Sequence, residues 1–399
     1  MTPFFRMSAD GKETPVDIDN ECLSALKSTC WLIGSGPSLT EEVAETINAS
    51  QLPKFCMNLA GNAKDGRAPL VIPDYWTAYD PTVRFPAEIY LNPRIRKFVV
   101  KGRRMDLLRG LPIKVCECPN VYFFEREYRD FSDILRPESA KVLDCQDTMM
   151  QAIDIAYRLG YRRLLLAGTE MAVFPSVEQI EVAKKHGVTY DEDRMATISA
   201  DGRALPLLRD FHSACKEAKA TRPDAEGGGH DDGTRSLILD VQKPDLYAFS
   251  ESKPWQTVLS CDEHYYRVSQ WLRLARPCFS AMGLDIVSCT PRSRLNWYFS
   301  YVEPRLSNLL DGCNIKIEKS STAGYYDDSQ DVWSNQMPMI DYPPHGQDKD
   351  DLGFHKKTYN DRLKLLARKL NELPDVPLEM DIHFSWASIG DSSSLEADE

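Results

Sequence analysis

Cys30-Trp31-Leu32-Ile33-Gly34-Ser35-Gly36-Pro37-Ser38-Leu39-Thr40 is the stretch on which the fold of this chain turns. A short apolar run ends abruptly in Gly-Ser-Gly-Pro-Ser, and a helix-like stretch follows from Glu41 to Ile47. That order predicts a buried first strand, a tight turn and a helix N-terminus at the start of an α/β domain. Two glycines let the backbone approach a ligand closely and adopt φ > 0. Pro37 suits the first helical position, where its missing N–H costs nothing. Free amides, with the Ser35 and Ser38 hydroxyls, would then face an anion at the helix N-terminus, a phosphate being the expected one. The turn lacks the Lys-Ser/Thr ending of a P-loop and the third glycine of the dinucleotide fingerprint. The competing reading is an ordinary glycine-containing turn between a strand and a helix.

Outward from this turn, short apolar runs alternate with helical patterns, the rhythm of a parallel sheet with crossover helices. Strands are expected at residues 31–33, 54–57, 75–78, 97–100, 121–124, 164–167 and 286–288. The clearest helix covers residues 148–159, with Met149, Ile153, Ala156 and Tyr157 at helical spacing and Gly160 as its C-terminal cap. The apolar run that follows ends at Gly168-Thr169-Glu170. Residues 173–235 are polar and contain Gly227-Gly228-Gly229-His230-Asp231-Asp232-Gly233, a flexible loop, so this stretch reads as an insertion with one or two helices that serves as a lid. A helix from about Glu263 to Met282, kinked at Pro277, leads through Gly283 into a last strand and the turn Cys289-Thr290-Pro291-Arg292-Ser293. The expected organisation is a flexible N-terminus (residues 1–20) and a Rossmann-like nucleotide-binding domain (21–310) interrupted by the insertion. A C-terminal extension (311–399) carries one amphipathic helix and an acidic tail. The fold class is α/β, a mostly parallel sheet with flanking helices.

Composition narrows the function classes. Of 399 residues, 42% are hydrophobic and 27% charged, as in a globular protein with a sizeable core. A net charge of -12 and a pI near 5.2 argue against a broad nucleic-acid-binding surface. The basic run Arg94, Arg96, Lys97, Lys101, Arg103, Arg104 and Arg109 reads as a solvated face. No apolar run approaches the ~20 residues that span a bilayer, and Met1 to Val16 has no signal-like apolar core. Eleven cysteines then read as free thiols, and the expected location is the cytoplasm. Cys116 and Cys118 form a lone close pair without a second pair at zinc spacing, so no metal site is expected there.

In an open parallel sheet, ligands bind outside the carboxyl ends of the strands, where the strand order reverses. Five polar turns follow expected strands and share that edge: residues 34–38; Asn58 with Gly61 and Asn62; Asp80-Pro81; Gly168-Thr169-Glu170; and Thr290 with Ser293. Together they suggest a crevice for a phosphorylated, polyhydroxylated ligand. Asp74 and Asp80 flank one strand on opposite sides, and Asp80 is the candidate for a ribose hydroxyl or a divalent cation bridging phosphates. Its competing role is a turn-forming Asp before Pro81. Glu170 is a candidate general base or sugar-hydroxyl acceptor, against a plain capping role. His264, in Asp262-Glu263-His264-Tyr265-Tyr266, is the histidine with carboxylates beside it; His212 belongs to the insertion.

These residues also carry a resemblance. Gly34-Ser35-Gly36-Pro37-Ser38-Leu39 resembles the Gly-x-Gly-Pro-Ser-Leu turn of the bacterial sialyltransferases that use a CMP-linked donor. It equally resembles that of a related family, which includes flagellin-modifying motility-associated glycosyltransferases and archaeal 6-hydroxymethylpterin diphosphokinase. Asn58-Leu59-Ala60, the Pro73-Asp74-Tyr75 segment running to Asp80, the helix opened by Asp147-Thr148, and Leu164-Leu165-Leu166-Ala167-Gly168-Thr169-Glu170 are similar to that second group in the same order. So is Gly283 to Leu295, with its Thr290 and Ser293. Glu170 stands where those proteins have Asp, Gln146 and Asp147 stand where they have Gly and Ser, and no histidine motif aligns. The resemblance implies a transferase that takes a nucleotide-activated sugar donor, a CMP-linked sugar being one form, with an unidentified acceptor. Its alternatives are a Mg²⁺-dependent diphosphokinase on the same fold, or a non-catalytic nucleotide-binding assembly protein.

Overall fold

The computed structural model describes residues 3–8, 12–18, 28–61, 69–80, 85–190, 196–198, 204–206, 208, 211–215 and 255–305. The amphipathic and acidic stretches expected after residue 310, the glycine loop at 227–233, Asn62 and Pro81 lie outside the described residues. Among the described residues there are thirteen strands: β1 (Phe5–Met7), β2 (Glu13–Pro15), β3 (Thr29–Ile33), β4 (Lys54–Met57), β5 (Tyr75–Thr77), β6 (Arg96–Val100), β7 (Val121–Phe124), β8 (Arg126–Glu127), β9 (Val142–Leu143), β10 (Arg163–Ala167), β11 (Ala196–Ile198), β12 (Ala204–Pro206) and β13 (Asp285–Ser288). The described residues include the helices α1 (Glu41–Ala49), α2 (Ala87–Leu91), α3 (Thr148–Arg158), α4 (Val177–Lys185) and α5 (Trp255–Ala281).

Nine strands form one mixed, mostly parallel sheet in the order β13-β10-β3-β4-β5-β6-β7-β1-β2. Every pairing from β13 to β7 is parallel, and β1 and β2 add an antiparallel edge. The strand side chains alternate between two cores. Cys30, Leu32, Phe55, Met57, Phe98, Leu164 and Leu166 face one side, where α3 and the C-terminal half of α5 pack. Trp31, Ile33, Cys56, Trp76, Leu165 and Ala167 face the other, against Ala44 and Ile47 of α1. Strand β3 is buried along its whole length, which is why it reads as a continuous apolar run rather than an alternating one.

Helix α3 shows how the sequence sets its own boundaries. Asp147 caps it by accepting from the Met149 and Met150 amides. Gly160, at φ +98°, closes it with paired bonds from Gly160 N to Tyr157 O and from Tyr161 N to Ala156 O. All eleven of its residues are buried, including Asp154. That carboxylate accepts from Arg129, Arg158 and the Leu143 amide. Burial would raise its pKa, but the two guanidiniums outweigh burial and hold it below the usual range.

All seven expected strands are present, and the last one joins the same sheet as the first, separated from it by β10. Three readings are corrected. Residues 1–20 were expected to be loosely ordered, yet Phe5–Met7 and Glu13–Pro15 complete the sheet edge, because Phe4 and Val16 bury their side chains in the core. Pro37 does not open α1; Thr40 does, accepting from the Val43 amide, and Pro37 lies inside a Gly36–Leu39 turn. The helix expected near Glu263 begins earlier, at Trp255, and continues through Pro277. The insertion contributes α4 and the β11–β12 hairpin among its described residues.

Candidate functional site

The chain steps from β3 through β7 in one direction, then returns past β3 to β10 and β13. Strand order therefore reverses between β3 and β10, and the carboxyl ends of these two strands are the place where such sheets open a crevice. Gly34 follows β3 and Gly168-Thr169-Glu170 follows β10.

The two turns approach closer than any side chain would allow. A Cβ on Gly34 would sit 2.3 Å from Gly168 O, and one on Gly168 would sit 2.6 Å from Gly34 O. Gly34 N donates to Ala167 O at 2.8 Å and Gly36 N to Gly168 O at 2.9 Å. The next alternate amide, Ser38 N, donates to Glu170 Oε1 at 2.6 Å. The glycines thus serve first to zip the two strand ends together, and three of the turn's amides are engaged within the chain. A Cβ on Gly36 would lie 1.5 Å from Glu170 Oε2, so the carboxyl group occupies the hollow that the glycine leaves. Glu170 is 5% exposed and its Oε2 has no hydrogen-bond partner among the described residues. Burial raises its pKa, opposed by the hydrogen bonds from Ser38. Ser35, which precedes Gly36 in the turn, is half-buried, and Pro37 is exposed.

Thr169, Thr290 and Ser293 are buried and bonded to each other's turns. Thr169 N donates to Thr290 Oγ1 at 3.1 Å, and the Ser293 hydroxyl donates to Thr169 O at 2.7 Å. Thr290 and Ser293, expected to touch a ligand, have hydroxyls engaged inside the chain instead. What they supply is the position of the 168–170 turn. A buried ion pair between Asp262 of α5 and Arg294 fastens the same region, and Arg294 N also donates to Glu170 O.

A second cluster stands at the ends of β4 and β5, around the start of α3. The Thr148 hydroxyl donates to Asn58 Oδ1 at 3.0 Å and accepts from the Tyr79 amide at 3.1 Å. Asp147, already capping α3 through Oδ1, turns Oδ2 toward His264 Nε2 at 3.2 Å. Arg267 approaches the other ring nitrogen, Nδ1. A guanidinium only donates, so Nδ1 accepts, and Nε2 carries the proton directed at Asp147. His264 is thus a held, oriented imidazole rather than a loose surface residue. Asp80 belongs to this side, its carbonyl accepting from Arg103 Nη1 at 3.0 Å. Asp80 and Glu170 share the carboxyl edge, but β3 and β4 lie between their strands. That is about 14 Å at ~4.8 Å per strand, too far for both to act on one atom. His212 is buried in the insertion.

Four of the five non-glycine residues with positive φ, Asn58, Gln146, Met171 and Arg292, lie in turns at this edge. Backbone held in that region costs about 1–3 kcal/mol per residue and gathers where function constrains the chain. Sequence reading missed Asp147 and Arg267. The signal for Asp147 was present, since Asp followed by Thr before an apolar helical run is an N-cap pattern; the pairing to a helix over a hundred residues away was not. Among the described residues no group of three or more His, Cys, Asp or Glu side chains is placed to hold a metal ion. A Mg²⁺ ion here would rely on one or two carboxylates and on phosphate oxygens, with Asp80 the expected ligand. Comparison with protein-family models, curated proteins and solved structures finds no match to this chain.

Proposed function

We propose that this chain is a glycosyltransferase-like enzyme with a Rossmann-like nucleotide-binding core, taking a nucleotide-activated sugar at the β3–β10 crevice. The observation that carries this reading is the reversal of strand order between β3 and β10 with an orphaned acceptor, Glu170 Oε2, buried at that point. Because Oε2 lies in the hollow under Gly36, a hydroxyl of the ribose or of the sugar would donate to it only after a shift of the 34–38 turn, and that bond would relieve the cost of burying it unpaired. The donor phosphate would sit outside the 34–38 turn, against Ser35, because the deeper amides are engaged. Electrostatic stabilisation of the departing phosphate, rather than a covalent intermediate, is the chemistry this arrangement supports.

Deprotonation of the acceptor would fall to the Asp147–His264 pair, which joins the start of α3 to α5 beside the ends of β4 and β5. Asp147 holds the ring and would stabilise the imidazolium once Nδ1 takes a proton. For that step Arg267 must leave Nδ1, which ties base activation to movement of a group on α5. The test is thermal stabilisation of the purified full chain by a panel of nucleoside mono- and diphosphates and nucleotide sugars, with Ser35→Asp as the control variant. A ligand that binds only the native state raises the unfolding temperature by mass action. Stabilisation of the wild type that disappears in Ser35→Asp is expected. Equal stabilisation of both, or of neither, would overturn the reading.

A further inference from the structure

The hairpin that leaves the carboxyl end of β6 carries a feature that the crevice does not use. Among the described residues six large apolar side chains are exposed, and three of them, Met105, Leu107 and Leu111, fall within seven consecutive residues. Isolated exposed apolar residues are ordinary, whereas a cluster marks a contact surface. Its arms are joined by Leu108 N to Ile113 O, Val115 N to Asp106 O and Cys116 N to Arg104 O. Gly110, at φ +74°, lies in the turn between the arms, next to the exposed Leu111.

Charge selects the occupant. Residues 101–118 hold five basic side chains and two acidic ones, in a chain whose overall charge is -12. Lys101 is paired with Glu13 and Glu125, and Arg103 with Asp106. Among the described residues Arg104, Arg109 and Lys114 form no ion pair, and they surround the three exposed apolar side chains in sequence. The basic run read from the sequence as a solvated face is therefore divided: Lys97 and Arg103 are buried, whereas Arg104 and Lys114 are half-buried along the hairpin arms and Arg109 is exposed beside the Gly110 tip. Exposed apolar side chains interspersed in sequence with cations that form no ion pair, against the single exposed carboxylate of Glu117, match the boundary of an anionic bilayer, where the chains enter the interface and the cations meet headgroups.

We propose that the 101–118 hairpin docks this protein peripherally on an anionic lipid bilayer, with Met105, Leu107 and Leu111 entering the interface and Arg104, Arg109 and Lys114 against the headgroup anions. β6 runs parallel to β5, and Arg103 reaches the Asp80 carbonyl, so docking would turn the carboxyl edge of the sheet toward the membrane. The inference stands apart from the proposed reaction, because it needs no nucleotide.

The test is co-sedimentation of the purified full chain with vesicles of phosphatidylcholine alone or mixed with phosphatidylserine. Binding is expected only to the anionic vesicles and should weaken as salt screens it. Arg104→Ala with Arg109→Ala should weaken it about 25-fold, at roughly fivefold per basic residue. Leu107→Ser with Leu111→Ser should weaken it at least about tenfold, since that pair supplies two of the three apolar side chains at the interface. Unchanged melting temperatures would show that the exposed substitutions leave the fold intact. No binding to anionic vesicles, equal binding to neutral ones, or binding indifferent to both double variants would overturn the proposal. A concentration-dependent dimer abolished by Leu107→Ser, without vesicle binding, would likewise overturn it and assign the patch to a second copy of the chain.

Discussion

Replacing Gly34 by Ala adds one methyl group where the structure has no room. The new Cβ would lie 2.3 Å from Gly168 O, a backbone atom that no rotamer change can move. Restoring an ordinary separation of about 3.4 Å requires the two strand ends to part by about 1 Å. That shift breaks or lengthens the bonds from Gly34 N to Ala167 O and from Gly36 N to Gly168 O, now 2.8 and 2.9 Å. Two backbone hydrogen bonds at about 0.5–1.5 kcal/mol each, plus an overpacking cost of about 1–3 kcal/mol, give roughly 2–6 kcal/mol. Against a typical stability of about 5–15 kcal/mol that is a large fraction. Urea unfolding followed by tryptophan fluorescence would read it as a drop in midpoint. Gly102→Ala is the control, because nothing lies within 4 Å of its added Cβ. A Gly34→Ala midpoint equal to that of Gly102→Ala would refute the claim that these glycines exist for the close approach of two strands. Substitution at Gly36 is a poor probe of ligand binding for the same reason, since it strikes Glu170 and Gly168 before any ligand.

Asp154→Ala should cost about 3–5 kcal/mol in the same unfolding assay, by leaving Arg129 and Arg158 buried without their shared carboxylate. Lys97 is fully buried, its ammonium donating to Tyr90 O and Asn92 O, and burial pushes its pKa down to about 8. Between pH 8 and ~10.4 the unfolded chain holds this proton and the folded one has released it, so this residue makes stability rise with pH there. Lys97→Met should remove that rise. The raised pKa of Glu170 has the opposite sign: its contribution is present below the ordinary carboxylate pKa and is lost as pH climbs through the folded value. Glu170→Gln should therefore gain stability relative to wild type as pH is raised from acid to neutral. Asp147→Ala combined with Arg267→Ala should free both ring nitrogens of His264, which nitrogen-detected NMR would report as a changed tautomer balance at that histidine.

The sheet was legible because a strand buried on both faces is a plain apolar run. Strands β4 and β7 fall at the expected residues, and the others are off by one or two. The edge strands β1 and β2 were not legible: three residues each, they are set by where Phe4 and Val16 reach the core and not by a local pattern. Convergence of the 34–38 and 168–170 turns followed from parallel strand order. Their chemistry did not, because a phosphate-binding turn and a turn sealed by a neighbouring carboxyl share one glycine pattern. The bonds from Gly36 N to Gly168 O and from Ser38 N to Glu170, with the carboxyl in the Gly36 hollow, distinguish them. Likewise His264 stood out for its acidic neighbours in sequence, yet the carboxylate it meets is Asp147, brought there by the packing of α5 beside α3.

The proposed seat of the nucleotide-activated donor is the β3–β10 crevice. Hydrogen–deuterium exchange of the full chain, with and without saturating CMP and, separately, the nucleotide that stabilises it most, tests that directly. Slower exchange at residues 34–38 and 168–171, with the amino edge of the sheet unchanged, is the predicted result. Ligand-dependent protection confined to other segments, or no change in these two turns under saturation, would contradict it.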